Sequence, residues 1–376
     1  MGAKKIIVDD KVPFLEGVLE NHFEVVYKPG NEIVRDNLAD ADALLIRTRT
    51  ACDRNLLEGS SVKFIATATI GYDHIDTEFC RLAGIEWMNA PGCNAWAVQQ
   101  YVVTAILELA VKYSLPLDQL TLGVVGVGHV GSKVAEAVRA LGLHVLLCDP
   151  PRKRKEGGNF VSLETITAEC DIITFHVPLT VDGEDRTYHM ADDFFFAKLQ
   201  RMPIIINSSR GEVVMGDALK RALIARSVKG AVLDVWEKEP GVDLELLRLV
   251  DIATPHIAGY SVEGKANGTA MAVRAISKFF GLGIDKWYPE RVPKPVNAVL
   301  PLLGSNSFES LCGTVFRTYR IVNDDLNLRM TPAGFEYQRS KYVFRNEFSA
   351  YTVNTQGGEL NVMQIDQLRR LGFKIN

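Results

Sequence analysis

The run Leu122-Gly123-Val124-Val125-Gly126-Val127-Gly128-His129-Val130-Gly131, with Asp149 beyond it, decides the fold. Residues 122–125 are a short apolar stretch of the kind buried on both faces of a parallel sheet, and residues 132–141 repeat apolar positions at helical intervals. A strand, a glycine turn and a helix in that order give each glycine a task. Gly126 permits the tight turn, Gly128 lets the backbone approach a pyrophosphate, and Gly131 allows the helix to pack closely on the strand. The helix N-terminus then offers amides and a positive dipole end to the phosphates. After a second strand over 144–147, Asp149 stands 18 residues beyond Gly131. A carboxylate there accepts hydrogen bonds from the ribose hydroxyls of NAD and repels the 2'-phosphate of NADP. Arg152 and Lys153 beside it keep NADP open as the alternative.

Working outward, further apolar runs at 172–177, 204–207 and 231–235 read as strands, with helices over 192–199 and 216–225 between them. Alternation of this kind implies a parallel sheet whose carboxyl edge holds the ligand. Just past successive runs come Ser209-Arg210-Gly211, Glu239-Pro240 and Pro255-His256-Ile257-Ala258-Gly259. Their chemistry is that of oxidising a 2-hydroxy acid. A guanidinium at Arg210 would hold the carboxylate with two parallel charge-assisted hydrogen bonds. Histidine suits proton removal near neutrality, so His256 is the base, and a carboxylate at Glu239 would fix its tautomer and stabilise the imidazolium. Of the other histidines, His176 ends a strand near the cofactor cleft, and His74 reads as structural.

The N-terminal stretch repeats the pattern, with strands at 5–8, 24–27, 43–47 and 64–67 and a helical segment over 13–21. A long helix follows over 95–112, with Asn94 as its cap. From Asp285 the chain passes Pro289, Pro293 and Pro295, a linker, into about 75 residues with a helix over 308–322, an apolar run at 350–353 and a helix over 362–371. So small a segment has little core of its own and favours packing on another surface.

Composition narrows the function classes. With 376 residues, 47% hydrophobic and 23% charged, the chain can bury a large core, and a formal net charge of -4 gives no general attraction to nucleic acid or anionic membrane. The cluster Arg152 to Lys155 reads as a solvated basic loop. No stretch approaches the roughly 18 to 20 apolar residues that span a bilayer, and the N-terminus has no signal-peptide pattern, so the expectation is a cytoplasmic protein. Six scattered cysteines without a CxxC pair suggest neither a metal site nor a disulfide framework.

The strings Gly126 to Gly131, Ser209-Arg210-Gly211, Asp234-Val235-Trp236-Glu237-Lys238-Glu239-Pro240 and Pro255 to Gly259 resemble the D-isomer-specific 2-hydroxyacid dehydrogenases, over about residues 1 to 282. The resemblance implies the same three roles for Arg210, Glu239 and His256. It also implies a discontinuous flavodoxin-like substrate domain (1–93 and 259–284), a Rossmann NAD-binding domain (94–258) and a small α+β C-terminal dimerisation domain (285–376). Ala66 to His74, Ala90 to Ala95, Leu147 to Arg152 and His256 to Lys265 are most similar to members of that family that oxidise a phosphorylated acid. By that resemblance His129, Val130, Asp149, Val177, Asp234 and Gly259 contact NAD, while Thr48, Thr69 and Tyr260 contact the substrate; Arg47, at the end of its strand, is placed to supply positive charge. A homodimer through the C-terminal domain is implied as well. His129, Gln100 and Ser208-Ser209 depart from residues common in such members. The rival readings are a sibling dehydrogenase of the 3-phosphoglycerate or glyoxylate type and, in another class, an NAD-sensing corepressor of the same fold.

Overall fold

A computed structural model describes residues 4–302, 307–354 and 362–376. The chain forms two compact units, one comprising the chain to Asn94 with Ser261–Pro293, the other Ala95–Tyr260 with Lys294–Asn376.

The first unit is built on strands β1 (Lys4–Asp9), β2 (Phe23–Lys28), β3 (Ala43–Ile46), β4 (Phe64–Thr67) and β5 (Glu86–Met88). All are parallel, in the doubly wound order β2-β1-β3-β4-β5. Every residue of β3 and β4 is buried, which is why both read as unbroken apolar runs. The order reverses between β1 and β3, so Asp9 and Arg47 stand at the carboxyl ends where such sheets bind ligands. The helix Val262–Phe280 returns to this unit, its start capped by Ser261, whose hydroxyl accepts from the Gly264 amide at 2.8 Å. Its Ala272, Val273 and Ile276 join Ile6, Val8 and Phe64 in one core. An added Cβ at Gly268 would lie 2.6 Å from the Ala68 carbonyl oxygen, so only glycine permits that approach. The helix expected over 13–21 is a series of turns instead. Pro13 has no N–H to donate, and Phe14 and Gly17 adopt φ of 63° and 79°, which interrupts helical bonding while leaving Leu15 and Leu19 buried.

The second unit carries β6 (Thr121–Val125), β7 (His144–Cys148), β8 (Ile172–Phe175), β9 (Ile204–Asn207), β10 (Gly230–Leu233) and β11 (Ile252–Ala253). These too are parallel, in the order β11-β10-β9-β8-β6-β7, with the reversal between β6 and β8. The helix Ala95–Tyr113 is buried on nearly every side. The oxygen of Asn94, the expected cap, is buried and accepts no hydrogen bond among the described residues.

The burial of that helix is explained by the C-terminal segment. Strands β12 (Val299–Pro301), β13 (Thr352–Asn354) and β14 (Lys374–Ile375) make a small parallel sheet, accompanied by helices Ser307–Thr318, Ile321–Met330 and Val362–Leu371. The helix expected over 308–322 is two, because Arg320 leaves helical geometry at φ −107°, ψ 83°. Val315, Val353 and Leu371 are fully buried in the core shared with Tyr101, Ile106 and β6, and each such side chain contributes about 1.5–3 kcal/mol. Polar contacts add direction: Gln99 donates to the Leu371 carbonyl, and Gln100 to Thr318 and the Asn346 carbonyl. On the far edge, Asp325 accepts from the Ala253 amide of β11 at 2.7 Å and from Arg329, which also donates to the carbonyls of Leu247 and Val250. The segment therefore seals an exposed strand edge. No helix among the described residues is long and apolar enough to cross a membrane.

Replacing Asp325 by alanine strands a buried amide and frees Arg329, so urea unfolding should show a loss of about 1–3 kcal/mol; a loss below about 0.5 kcal/mol would show that this edge does not depend on the carboxylate.

Candidate active site

The glycine turn after β6 has the geometry its sequence predicts. Gly126 has φ 86°, and an added Cβ would strike the His176 backbone at 2.7 Å. A Cβ at Gly131 would lie 1.9 Å from the Gly126 carbonyl oxygen, while one at Gly128 would meet nothing within 4 Å. The backbone at Gly128 is thus open to a ligand, at the start of the helix His129–Ala140. His129 is exposed and Val130 half-buried in the first turn of that helix.

Asp149 follows β7 and ties this turn together, accepting from the Val127 amide at 2.8 Å and from the Arg152 amide at 3.0 Å. Arg152 is itself paired with Glu156 and donates to the Val127 carbonyl, so its charge is already matched within the protein. That balance favours ribose hydroxyls over a 2'-phosphate. Val177, two residues beyond β8, lies across the reversal point, its side chain 2.7 Å from the Cβ position of Gly126. His176 bonds Thr174 at 2.9 Å through Nε2, and burial of the ring pushes its pKa down to about 3, leaving it neutral. The open backbone at Gly128 and the acidic Asp149 fit a dinucleotide. Among the described residues no group of three His, Cys, Asp or Glu side chains could hold a metal ion, and the six cysteines are buried thiols.

His256 and Glu239 are brought together. His256 Nδ1 lies 2.7 Å from Glu239 Oε2, and Glu239 Oε1 accepts from the Trp236 amide at 3.0 Å. Burial opposes the charge of Glu239, yet the hydrogen bond and charge of His256, with the Trp236 amide and the charge of Arg339, hold its pKa below the ordinary 4.5. A carboxylate on Nδ1 makes that nitrogen the donor, so Nε2 is the atom left to take a substrate proton. Arg210 follows β9 in a turn closed by Asn207, whose side chain donates to the Arg210 carbonyl and accepts from Ser209. An added Cβ at Gly211 would meet the Trp236 carbonyl at 2.1 Å, so the glycine lets the arginine turn lie directly against the chain leading to Glu239.

His256 is held from two directions. Its φ of 56° is left-handed, a strained geometry that surrounding bonds must enforce. Asp234, buried after β10, accepts from the amides of Ile257 at 2.8 Å and Ala258 at 2.9 Å and from the Thr254 hydroxyl, which also bonds Tyr101. From the C-terminal segment, the buried Arg345 donates to the carbonyls of Ile257, Ala258 and Tyr260, and to Ala97 and Gln100. The contact with NAD implied for Asp234 would draw on the one acceptor position that three donors leave, a carboxylate having about four. Neither Arg345 nor the structural side of Asp234 is visible in the sequence, since their partners are backbone groups of a loop with no pattern of its own. Gly259 and Tyr260 end this loop, half-buried. His189 pairs with Glu237 at 2.6 Å.

In the other unit, Thr48 is exposed just after β3, and Thr69, after β4, bonds Thr67 at 2.7 Å and the Gly71 carbonyl at 2.9 Å. Arg47 is bound through Nε and Nη2 to the fully buried Asp9, so its charge serves that carboxylate. His74 bonds Thr67 at 3.2 Å.

Comparison with known proteins places these features. Residues 99–258 match the model described as "D-isomer specific 2-hydroxyacid dehydrogenase, NAD binding domain". An erythronate-4-phosphate dehydrogenase of Bacteroides thetaiotaomicron is 49% identical over 93% of this chain and 99% of its own. That of Cronobacter sakazakii is 40% identical over 98% of each chain. Among solved structures, the D-lactate dehydrogenase of Aquifex aeolicus with NAD and lactic acid superposes with a TM-score of 0.63 at 26% identity, covering 75% of this chain and 97% of that one.

Two outcomes test the pair. His256→Asn should lower turnover at least a hundredfold while fluorescence titration still detects NAD binding; near-normal turnover would remove it as the base. Because the Glu239 pKa is depressed, its contribution to stability is complete above about pH 4.5 and is lost as pH falls through the lower folded value. The stability gap between wild type and Glu239→Gln should therefore persist down to about pH 4.5 and close only in stronger acid, and a gap already closing at pH 6 would contradict the pairing.

Proposed function

The chain belongs to the erythronate-4-phosphate dehydrogenases, within the D-isomer-specific 2-hydroxyacid dehydrogenase family, and from this we propose that it oxidises 4-phospho-D-erythronate at C2. The products are (R)-3-hydroxy-2-oxo-4-phosphooxybutanoate and NADH, a step towards pyridoxal 5'-phosphate. The observation that carries the reading is the His256–Glu239 pair, 2.7 Å apart on the sheet edge that also carries the glycine turn and Arg210.

Arg210 clamps the substrate carboxylate and thereby sets the orientation of C2. His256 Nε2 takes the proton of the C2 hydroxyl, and Glu239 stabilises the imidazolium that forms. NAD, held at the glycine turn and Asp149, would supply the hydride acceptor for the same carbon. Microscopic reversal makes His256 the proton donor in reduction. Thr48, Thr69 and Tyr260 are assigned to the substrate, and His129, Val130, Asp149, Val177, Asp234 and Gly259 to NAD, by the family resemblance. We keep the functional division into a substrate domain (1–93 and 259–284), an NAD domain (94–258) and a dimerisation domain (285–376), with the enzyme a cytoplasmic homodimer. Exposed Leu326, Met330, Tyr337, Val343 and Met363 on the C-terminal segment support that interface.

NADH formation against a panel of 2-hydroxy acids is the direct test. The 4-phospho acid should be preferred, and activity confined to unphosphorylated acids would overturn the assignment. Arg210→Lys should lower kcat/KM at least tenfold, since a point charge cannot reproduce the bidentate fork. Unchanged kinetics would count against carboxylate capture.

A further inference from the structure

We propose that Arg339, on the C-terminal helix Phe335–Ser340, is a substrate-binding residue that takes the phosphate of the substrate alongside Tyr260. The inference rests on the reading of a phosphorylated 2-hydroxy acid given above and names the cation that reading requires.

Tyr260 ends the loop that carries His256, and its hydroxyl accepts from Arg339 Nε at 3.1 Å. The guanidinium lies 5.9 Å from the ring centroid, and Tyr342 and Phe344 meet the same ring edge-on at 6.1 and 5.9 Å. Residues 339–344 of the C-terminal segment therefore build a wall around Tyr260. Through Nε Arg339 spends only one of its five donors on Tyr260, so its terminal N–H groups remain for a planar or tetrahedral oxyanion.

The charge of Arg339 is also unmatched. Arg47, Arg152 and Arg329 each have a carboxylate within ion-pair distance, and Arg345 is consumed by backbone carbonyls. Arg339 is half-buried and has no carboxylate within 4.0 Å among the described residues. Its charge helps to hold Glu239 ionised, but that carboxylate already belongs to His256. A half-buried cation beside the catalytic pair, without a counter-ion, is suited to a ligand anion. With Arg210 on the carboxylate and Arg339 on the phosphate, the acid would be fixed at both ends and C2 held over His256. Hydroxyl groups such as that of Tyr260 complete a phosphate site without adding charge.

The test compares 4-phospho-D-erythronate with D-erythronate in the full-length protein, for wild type, Arg339→Met and Arg339→Lys. Arg339→Met should reduce the ratio of kcat/KM for the phosphorylated over the unphosphorylated acid about a hundredfold, chiefly through KM, and Arg339→Lys should recover part of that ratio. Inorganic phosphate should inhibit wild type competitively against the phosphorylated acid and inhibit Arg339→Met at least tenfold more weakly. An equal loss on both acids, with the ratio preserved, would overturn the proposal and leave Arg339 a support for Tyr260. Wild type that shows no preference for the phosphorylated acid would instead overturn the substrate reading, and this inference with it.

Discussion

The loop that carries His256 depends on one buried carboxylate. Asp234 accepts from the amides of Ile257 and Ala258, two consecutive donors that no sheet or helix could pair at a left-handed residue. Without an acceptor each amide would carry the desolvation cost of an unmade hydrogen bond, about 1–3 kcal/mol. Satisfying both holds the loop in the conformation that pairs His256 Nδ1 with Glu239. Asp234 is in turn fixed by the Thr254 hydroxyl, and Thr254 by Tyr101 in the long buried helix. The catalytic geometry is thus an extension of the core rather than of the surface loop.

The C-terminal segment supplies the complementary half. Where Asp234 takes up the N–H groups of the loop, Arg345 takes up its carbonyls, and the two clamp one short stretch from opposite electrostatic senses. Burying a guanidinium is costly unless every donor is met. Here the carbonyls of Ala97, Ile257, Ala258 and Tyr260, the neutral Gln100 and the face of Tyr319 at 4.3 Å meet it. Tyr342 links this arginine to Asp324, whose carboxyl burial raises above the ordinary range despite bonds from Tyr319 and Tyr342. The neutral Gln100 adds no charge, so the guanidinium is compensated by carbonyl dipoles and that network.

These bonds change what the C-terminal segment is for. An appendage that only paired two subunits would have no reason to reach the catalytic loop. This one covers the edge strand β11 through Asp325, fills the core against the Ala95–Tyr113 helix, and surrounds Tyr260. Loosening the segment would therefore also loosen the loop that carries His256.

Local sequence was enough for the parallel αβ architecture, the glycine turn, Asp149 at the end of its strand and the placing of Arg210, Glu239 and His256 just after successive strands, because period, turn chemistry and order along the chain carry that information over a few residues. It was not enough for residues 13–21, where apolar spacing suited a helix but Pro13 and two left-handed residues imposed turns, nor for the break at Arg320 within an apparently continuous helical pattern. The double duty of Asp234, the clamp by Arg345 and the meeting of Arg339 with Tyr260 were decided by tertiary structure alone. Their partners lie 20 to 248 residues away and are mostly backbone groups, which have no sequence identity to read. Which side chain satisfies a buried amide or carbonyl is settled only when folding brings the loop and its acceptors or donors into one dry space.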